Sequence, residues 1–156
     1  MWILIYRYLS NIFFIPILFF FLLRFLVSKE NISSILQKFS IFNKTRPEGD
    51  LIWINGVSVG EAKTGITVAK EIKKIKPKSS ILFSTSTLSA YNLLSKSKND
   101  FVVIFFPLDI NFIVNRFLKY WSPSSVIFIE SEIWPNIFYI LKKKFIKISI
   151  LNARIS

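Results

Sequence analysis

Acids must carry whatever proton chemistry this sequence can do. It has no histidine and no cysteine, which excludes a Ser-His-Asp triad, a Cys-His pair, a Cys-based zinc site and every histidine-ligated metal. A general base has to be Asp, Glu, Lys or Tyr. The acid with the most telling neighbours is Glu61, within "LIWINGVSVGEAKTGI" at residues 51–66. Leu51–Ile54 reads as a short strand, apolar without alternation and therefore covered on both faces. Gly56 and Gly60 permit a tight turn with close backbone approach, and the chain turns helical from about Glu61. Glu61 thus stands where a strand's carboxyl end meets a helix amino end, the crevice in which open α/β sheets bind ligands. A purely local explanation fits the same residues. Ser58-Val59-Gly60-Glu61 matches a capping box, in which Ser58 accepts from the helix's free N–H groups and Glu61 bonds back. An acid there also gains roughly 0.3–1 kcal/mol from the helix dipole. The glycine pair is a weak phosphate-loop signal, because neither G-x-G-x-x-G nor a P-loop lysine is present.

Three more loops follow apolar runs. "STSTLSA" (84–90) places hydroxyls at a strand-to-helix turn, where helix caps are the simplest use. "FFPLDI" (105–110) offers Pro107 and Asp109 as an ordinary strand end and helix start. "IESEIWPN" (129–136) is less ordinary, with Glu130 and Glu132 at a strand end and Trp134-Pro135 opening a helix. Glu130 is assigned to the strand itself, where a carboxylate is costly to bury without a partner. Both a helix-end role and a chemical role remain open for it at this point.

The elements that must position these loops alternate from residue 51 onward. Apolar runs recur at 51–54, 81–84, 101–106, 126–129 and 146–151, separated by helical patterns near 61–75, 88–95, 111–120 and 133–143. In the first helix Gly65, Val68, Ala69 and Ile72 form an apolar stripe, with Lys70, Lys73 and Lys74 on the wet side. This order predicts a doubly wound parallel sheet with right-handed crossovers. Residues 28–50 are polar and mixed, with weak helix signals around 32–39, and read as a connector.

Residues 2–27, "WILIYRYLSNIFFIPILFFFLLRFLV", are the most apolar stretch and predict one membrane-anchor helix. The uncharged part between Arg7 and Arg24 gives about 24 Å of helix against roughly 30 Å of hydrocarbon, so a span requires both arginines to snorkel to the interfaces. Pro16 should merely kink it. No small-residue cleavage site follows, which argues against a removable signal peptide. Lys29, Lys38, Lys44 and Arg46 follow the segment, which places the body of the chain in the cytoplasm. Whether the helix spans the bilayer or lies in one leaflet stays open. Across 156 residues, 21 basic and 9 acidic side chains give a net charge of +12, favouring anionic partners. Nucleic acid is not expected among them, because the lysines fall on several helices and the aromatics do not interleave with them.

Taken in order, "LIWINGVSVGE", "STSTLSA", "FFPLDI", "IESEIWPN" and "LNARIS" resemble the amino-terminal half of the 3-deoxy-D-manno-octulosonic acid (Kdo) transferases. The most specific blocks are V-S-V-G-E and E-S-E-I-W-P-N. The resemblance implies a Rossmann-like parallel sheet, the amino-terminal domain of a GT-B glycosyltransferase, at residues 51–156, preceded by the connector and the membrane anchor. It implies transfer of Kdo from CMP-Kdo, the donor, to the lipid A precursor, the acceptor, at the cytoplasmic face of the cell inner membrane, with no metal and no cofactor. Glu61 matches the catalytic base, which takes the acceptor hydroxyl's proton as that hydroxyl attacks the anomeric carbon in a single inverting displacement. Glu130 matches an acid assigned to transition-state stabilisation. Ser58, Gly60, Thr87 and Arg154 match substrate-contacting positions.

The sequence departs from the family pattern in places. Asn55 stands where a histidine is usual, and the run Ser84–Ala90 lacks the bulkier hydroxyl and the late glycine of T-x-T-x-T-G, changes expected to alter acceptor fit. The family has two Rossmann-like domains and holds CMP-Kdo mostly in the second. The resemblance stops at N-A-R-I-S, so the expectation is a fragment, an interrupted gene or half of a split enzyme, inactive alone. The competing expectation is a non-catalytic, membrane-anchored remnant that binds anionic lipid or a partner protein.

Overall fold

A computed structural model describes residues 2–27, 30–97, 101–130 and 133–151. The five apolar runs become β1 (Leu51–Asn55), β2 (Ser80–Thr85), β3 (Phe101–Phe105), β4 (Ser125–Ile129) and β5 (Lys147–Leu151). They form one parallel sheet in the order β3-β2-β1-β4-β5. Every residue of β1 is buried, as a central strand covered on both faces requires. Alternation sorts the two cores. Leu51 and Trp53 face one layer with Leu82, Phe117, Phe128 and Leu141, while Ile52 and Ile54 face the other with Phe83, Ala62, Ala69 and Leu94. The second layer is roofed by α4 (Val59–Ile75) and α5 (Leu88–Lys96), the first by α6 (Asn111–Trp121) and α7 (Pro135–Lys143). This is the Rossmann-like α/β fold that the alternation predicts.

The chain winds outward from β1 through β2 to β3, then crosses back to β4 and on to β5. Winding direction therefore reverses between β1 and β4, which creates a crevice at their carboxyl ends.

The amino-terminal segment departs from the expected single helix. It folds as α1 (Trp2–Ile12) and α2 (Phe14–Leu26), bent by 50° between Ile5–Ile12 and Phe14–Leu26. Pro16 accounts for the break: it donates no backbone hydrogen bond, and its ring would collide with the carbonyl of Ile12, four residues earlier. No single helix among the described residues is long and apolar enough to cross a membrane; the bent pair meets that test by length and composition only.

Arg7 turns toward the body of the chain. Its Nη2 donates to Asn111 Oδ1 over 2.8 Å, and the guanidinium lies 4.6 Å from the centre of the Tyr139 ring. The inner side of α1 is thus its polar side, pinned to α6 and α7. Outward the pair is apolar, with Ile15 75% and Leu26 68% exposed.

Between the pair and β1, a short helix α3 (Ile32–Lys38) is started by a reciprocal cap: Ser34 N donates to Asn31 Oδ1 and Asn31 N to Ser34 Oγ. It packs against β3, where Phe105 N donates to the buried Gln37 Oε1 over 3.1 Å. Further on, Arg46 donates to the carbonyl of Trp121 over 2.8 Å, tying this stretch to the end of α6.

Candidate functional site

The segments that follow β1 and β4 each carry an acid, Glu61 and Glu130. On the β1 side, Ser58 is the N-cap of α4 and its Oγ accepts from Glu61 N over 3.2 Å. The Glu61 carboxylate folds back to accept from Val57 N at 2.8 Å and Ser58 N at 3.3 Å. The capping box is therefore real, and it uses one lone pair on each carboxylate oxygen. Each oxygen retains a second acceptor site, so the box orients the carboxylate without exhausting it. The helix can start this close to the strand because residue 56 is glycine. A Cβ there would sit 3.1–3.2 Å from backbone atoms of Glu61 and Ala62. Gly60 is different: a Cβ would meet only Ser58 Oγ at 3.8 Å, so the fold itself does not demand glycine at that exposed position.

On the β4 side the strand ends at Ile129, and Glu130 lies one residue beyond it. The expectation that Glu130 is a buried strand residue is corrected: it is exposed and takes a left-handed conformation, φ 69°. Its N–H donates to Leu151 O over 2.7 Å, extending the pairing with β5 while the left-handed backbone turns the chain away. A non-glycine residue held there costs on the order of 1–2 kcal/mol, and such strain concentrates at functional sites. Glu132 and Arg154 lie outside the described residues.

Thr87 caps α5, its Oγ1 accepting from Ala90 N over 3.2 Å, and is exposed at the same end of the sheet. Asn55, in contrast, faces inward. Trp53 Nε1 donates to Ser84 Oγ and Ser84 Oγ to Asn55 Oδ1, both over 2.7 Å, in a wholly buried relay. Asn55 is 1% exposed, so its side chain braces β1 against β2 and does not line the crevice.

A clasp behind the crevice had no local sequence signal. Trp134, the N-cap of α7, supplies no side-chain cap; the buried Asp109, from the loop after β3, supplies it from outside. Asp109 Oδ2 accepts from Asn136 N at 3.0 Å and Oδ1 from Ile137 N at 2.8 Å, while Asn136 Nδ2 donates back to the carbonyl of Asp109. Tyr6 OH of α1 completes the set, donating to Asp109 Oδ2 over 3.0 Å, and Asn136 Nδ2 also reaches Ser10 Oγ at 3.2 Å. Burial pushes the Asp109 carboxyl above its ordinary value, against the three donors that oppose the shift. The clue available in sequence was an aspartate after one strand and an Asn right after the proline that opens a later helix; only the fold shows that they meet.

Residues 33–156 match the family described as 3-deoxy-D-manno-octulosonic-acid transferase (kdotransferase). The chain belongs to the Kdo transferase family. It is 35% identical over 131 residues to a probable mitochondrial 3-deoxy-D-manno-octulosonic acid transferase of Arabidopsis thaliana, covering 81% of this chain and 29% of that protein. It is 31% identical over 154 residues to the 3-deoxy-D-manno-octulosonic acid transferase of Rickettsia bellii, covering 97% and 36%. With the Haemophilus influenzae enzyme of the same name it shares 31% identity over 115 residues, 73% of this chain and 27% of that one. The chain thus spans about a third of the length of these Kdo transferases. Among the described residues no cluster of acids could hold a metal ion.

Proposed function

We propose that this chain forms the acceptor side of an enzyme that transfers Kdo from CMP-Kdo to the lipid A precursor. The supporting observation is the placement of Glu61 and Glu130 at the carboxyl ends of adjacent strands, where the winding reverses. An acceptor hydroxyl entering the crevice attacks the anomeric carbon of Kdo in one displacement. Its proton passes to a remaining lone pair of Glu61, and the bond to cytidine monophosphate breaks with its electron pair leaving on the phosphate. Glu130 stabilises the positive charge that develops on the sugar. Ser58, Gly60 and Thr87 border the entry, and the missing side chain at residue 60 gives the acceptor room to approach the backbone. Arg154 contacts substrate on the same proposal.

Membrane attachment belongs to this reading. The outward apolar face of α1 and α2 rests on the cytoplasmic leaflet of the inner membrane, bringing the crevice to a lipid acceptor. Recovery of the intact chain in a detergent-free soluble fraction would contradict that placement.

The decisive experiment is Glu61→Gln, assayed in a protein that also carries the second Rossmann-like domain. Glutamine can still occupy the third position of the capping box but accepts no proton. Transfer should fall by roughly 10²–10⁴-fold, while stability moves by no more than about 1 kcal/mol. Near-normal transfer would end the case for Glu61 as the base.

A further inference from the structure

The loop that holds Glu61 is itself held from β2. Pairing between β1 and β2 runs on one residue past β1, where Gly56 N donates to Ser84 O over 3.0 Å. One step further a side chain takes over. Thr85, the last residue of β2, donates through Oγ1 to the carbonyl of Val57 over 3.0 Å. Thr85 is wholly buried. Its hydroxyl does a different job from that of Thr87, two residues on, which caps α5.

The carbonyl of Val57 and the N–H of Ser58 belong to one peptide group. That group is planar and trans, so the two point in opposite directions. With the carbonyl on Thr85, the N–H is turned the other way, where it donates to Glu61 Oε1 over 3.3 Å. The amide before it, Val57 N, donates to Glu61 Oε2 over 2.8 Å. A half-turn of the 57–58 peptide would break the bond to Thr85, take a donor from Glu61 and aim a carbonyl oxygen at its carboxylate. Leaving that carbonyl without its donor is unfavourable, so the hydroxyl selects the orientation that holds the acid. It also tightens the hold, because a carbonyl that accepts a hydrogen bond polarises the N–H of its own peptide. A general base serves only within hydrogen-bond reach of the proton it takes, so the aim of this carboxylate matters.

We infer that Thr85 is a positioning residue for Glu61: its hydroxyl sets the Val57–Ser58 peptide, and that peptide aims the carboxylate. The inference rests on the proposed function for calling Glu61 the base; the link from Thr85 to the loop does not.

The test has two arms. In the protein that also carries the second Rossmann-like domain, Thr85→Val should lower kcat by roughly 10–10²-fold. KM should stay unchanged for both substrates, because the base acts only in the transition state. Thr85→Ser keeps the hydroxyl and should restore the rate. Thr67→Val, which removes an exposed hydroxyl of α4 that donates to Lys63 O, should change nothing. In a Glu61→Gln background Thr85→Val should cost no further activity, because the hydroxyl acts through the carboxylate. The second arm uses the whole 1–156 chain in neutral detergent micelles, without substrate. Hydrogen exchange at the Val57 and Ser58 amides should quicken by about tenfold in Thr85→Val. Ala62 N, bonded to Ser58 O, should keep its protection. If a methyl against the Val57 carbonyl prevents folding, Thr85→Ala removes the same hydroxyl and leaves room. A folded variant with the parent's kcat, an equal loss in the Glu61→Gln background, or a serine variant that does not recover would each overturn the inference. Near-normal transfer by Glu61→Gln, with exchange at Val57 and Ser58 responding as expected, would defeat the proposed function alone. A large loss in Glu61→Gln beside a Thr85→Val protein unaltered in both arms would defeat this inference alone.

Discussion

Glu61 and Glu130 stand at the same end of neighbouring strands, and the fold holds them by opposite means. Glu61 is 8% exposed and fixed through its side chain, with both oxygens receiving backbone amides of the loop that precedes it. Glu130 is exposed and fixed through its backbone, in a conformation few residues of its kind adopt. The glycines follow the same division. Before α4 the chain needs a glycine because a Cβ would strike the helix backbone. After β4 it uses a glutamate in a conformation that glycine would occupy more cheaply. Ser40, Ser122 and Phe145 also have positive φ, so the left-handed backbone at Glu130 counts toward a role only together with its place at the carboxyl end of β4.

The largest effect expected on the Glu130 side is kinetic. In the two-domain protein, Glu130→Gln should lower transfer by about 10²–10³-fold, the scale of losing one preorganised electrostatic contact. Stability should hardly change, because the side chain is exposed and the backbone strain is kept. A steady-state assay beside a melting curve checks both halves. An unchanged rate would leave the left-handed conformation without a functional reason and reduce the comparison to Glu61 alone.

The β1 side should respond in stability. Gly56→Ala forces a methyl to within 3.1–3.2 Å of α4 backbone, which cannot rotate out of the way as a side chain could. The cost should be about 1–3 kcal/mol, as for other overpacked sites, read from denaturant midpoints. Glu130→Gly should go the other way. Relief of about 1–2 kcal/mol of left-handed strain is offset by roughly 0.5–1 kcal/mol of added chain entropy in the unfolded state. The variant should therefore be as stable as the parent or up to about 1.5 kcal/mol more stable, while losing transfer as fully as Glu130→Gln. A gain in stability joined to a loss of rate is the signature of strain retained for function. A marked loss of stability would show that the glutamate side chain supports the fold.

How much of this was legible in sequence follows from how local each feature is. The strands were legible because runs such as Leu51–Ile54 are short, wholly apolar and bounded by polar or turn residues, and the lysine-backed stripe of α4 gave its period directly. The capping box was legible because its partners lie three residues apart. Glu130 was misplaced by one residue, since no side-chain pattern announces a positive φ at a non-glycine position. The amino-terminal segment was read from hydropathy as one helix that Pro16 would merely kink, whereas the chain bends by 50° and divides into two helices. Its docking was illegible for a different reason: Tyr6 meets Asp109 across 103 residues of sequence. Arg7 read as a charge that must reach water, when its partners Asn111 and Tyr139 lie on helices that only the folded sheet brings near.

The smallest expected effect probes what lies behind both acids. Asp109 joins α1 to the amino end of α7, immediately after the loop that carries Glu130, so its charge state bears on how firmly that side is held. Burial raises its carboxyl above the ordinary 3.8. The folded chain therefore keeps a proton on this group at pH values where the unfolded chain has already lost it. Between 3.8 and the raised value, the folded state binds more protons than the unfolded one, so this group's contribution to stability falls as pH rises. Above the raised value the loss is complete and constant. Asp50 acts in a different window: hydrogen bonds from Ser124 and Ser79 lower its carboxyl, so its contribution is lost only as pH falls below 3.8. Comparing the parent with Asp109→Asn cancels Asp50 and isolates the clasp. From pH 4 upward, the melting temperature of the parent should decline relative to the variant and then run parallel to it. A gap that instead widens in the parent's favour as pH rises would mean that the three donors outweigh burial, and that Asp109 grips α7 better as a carboxylate than as an acid.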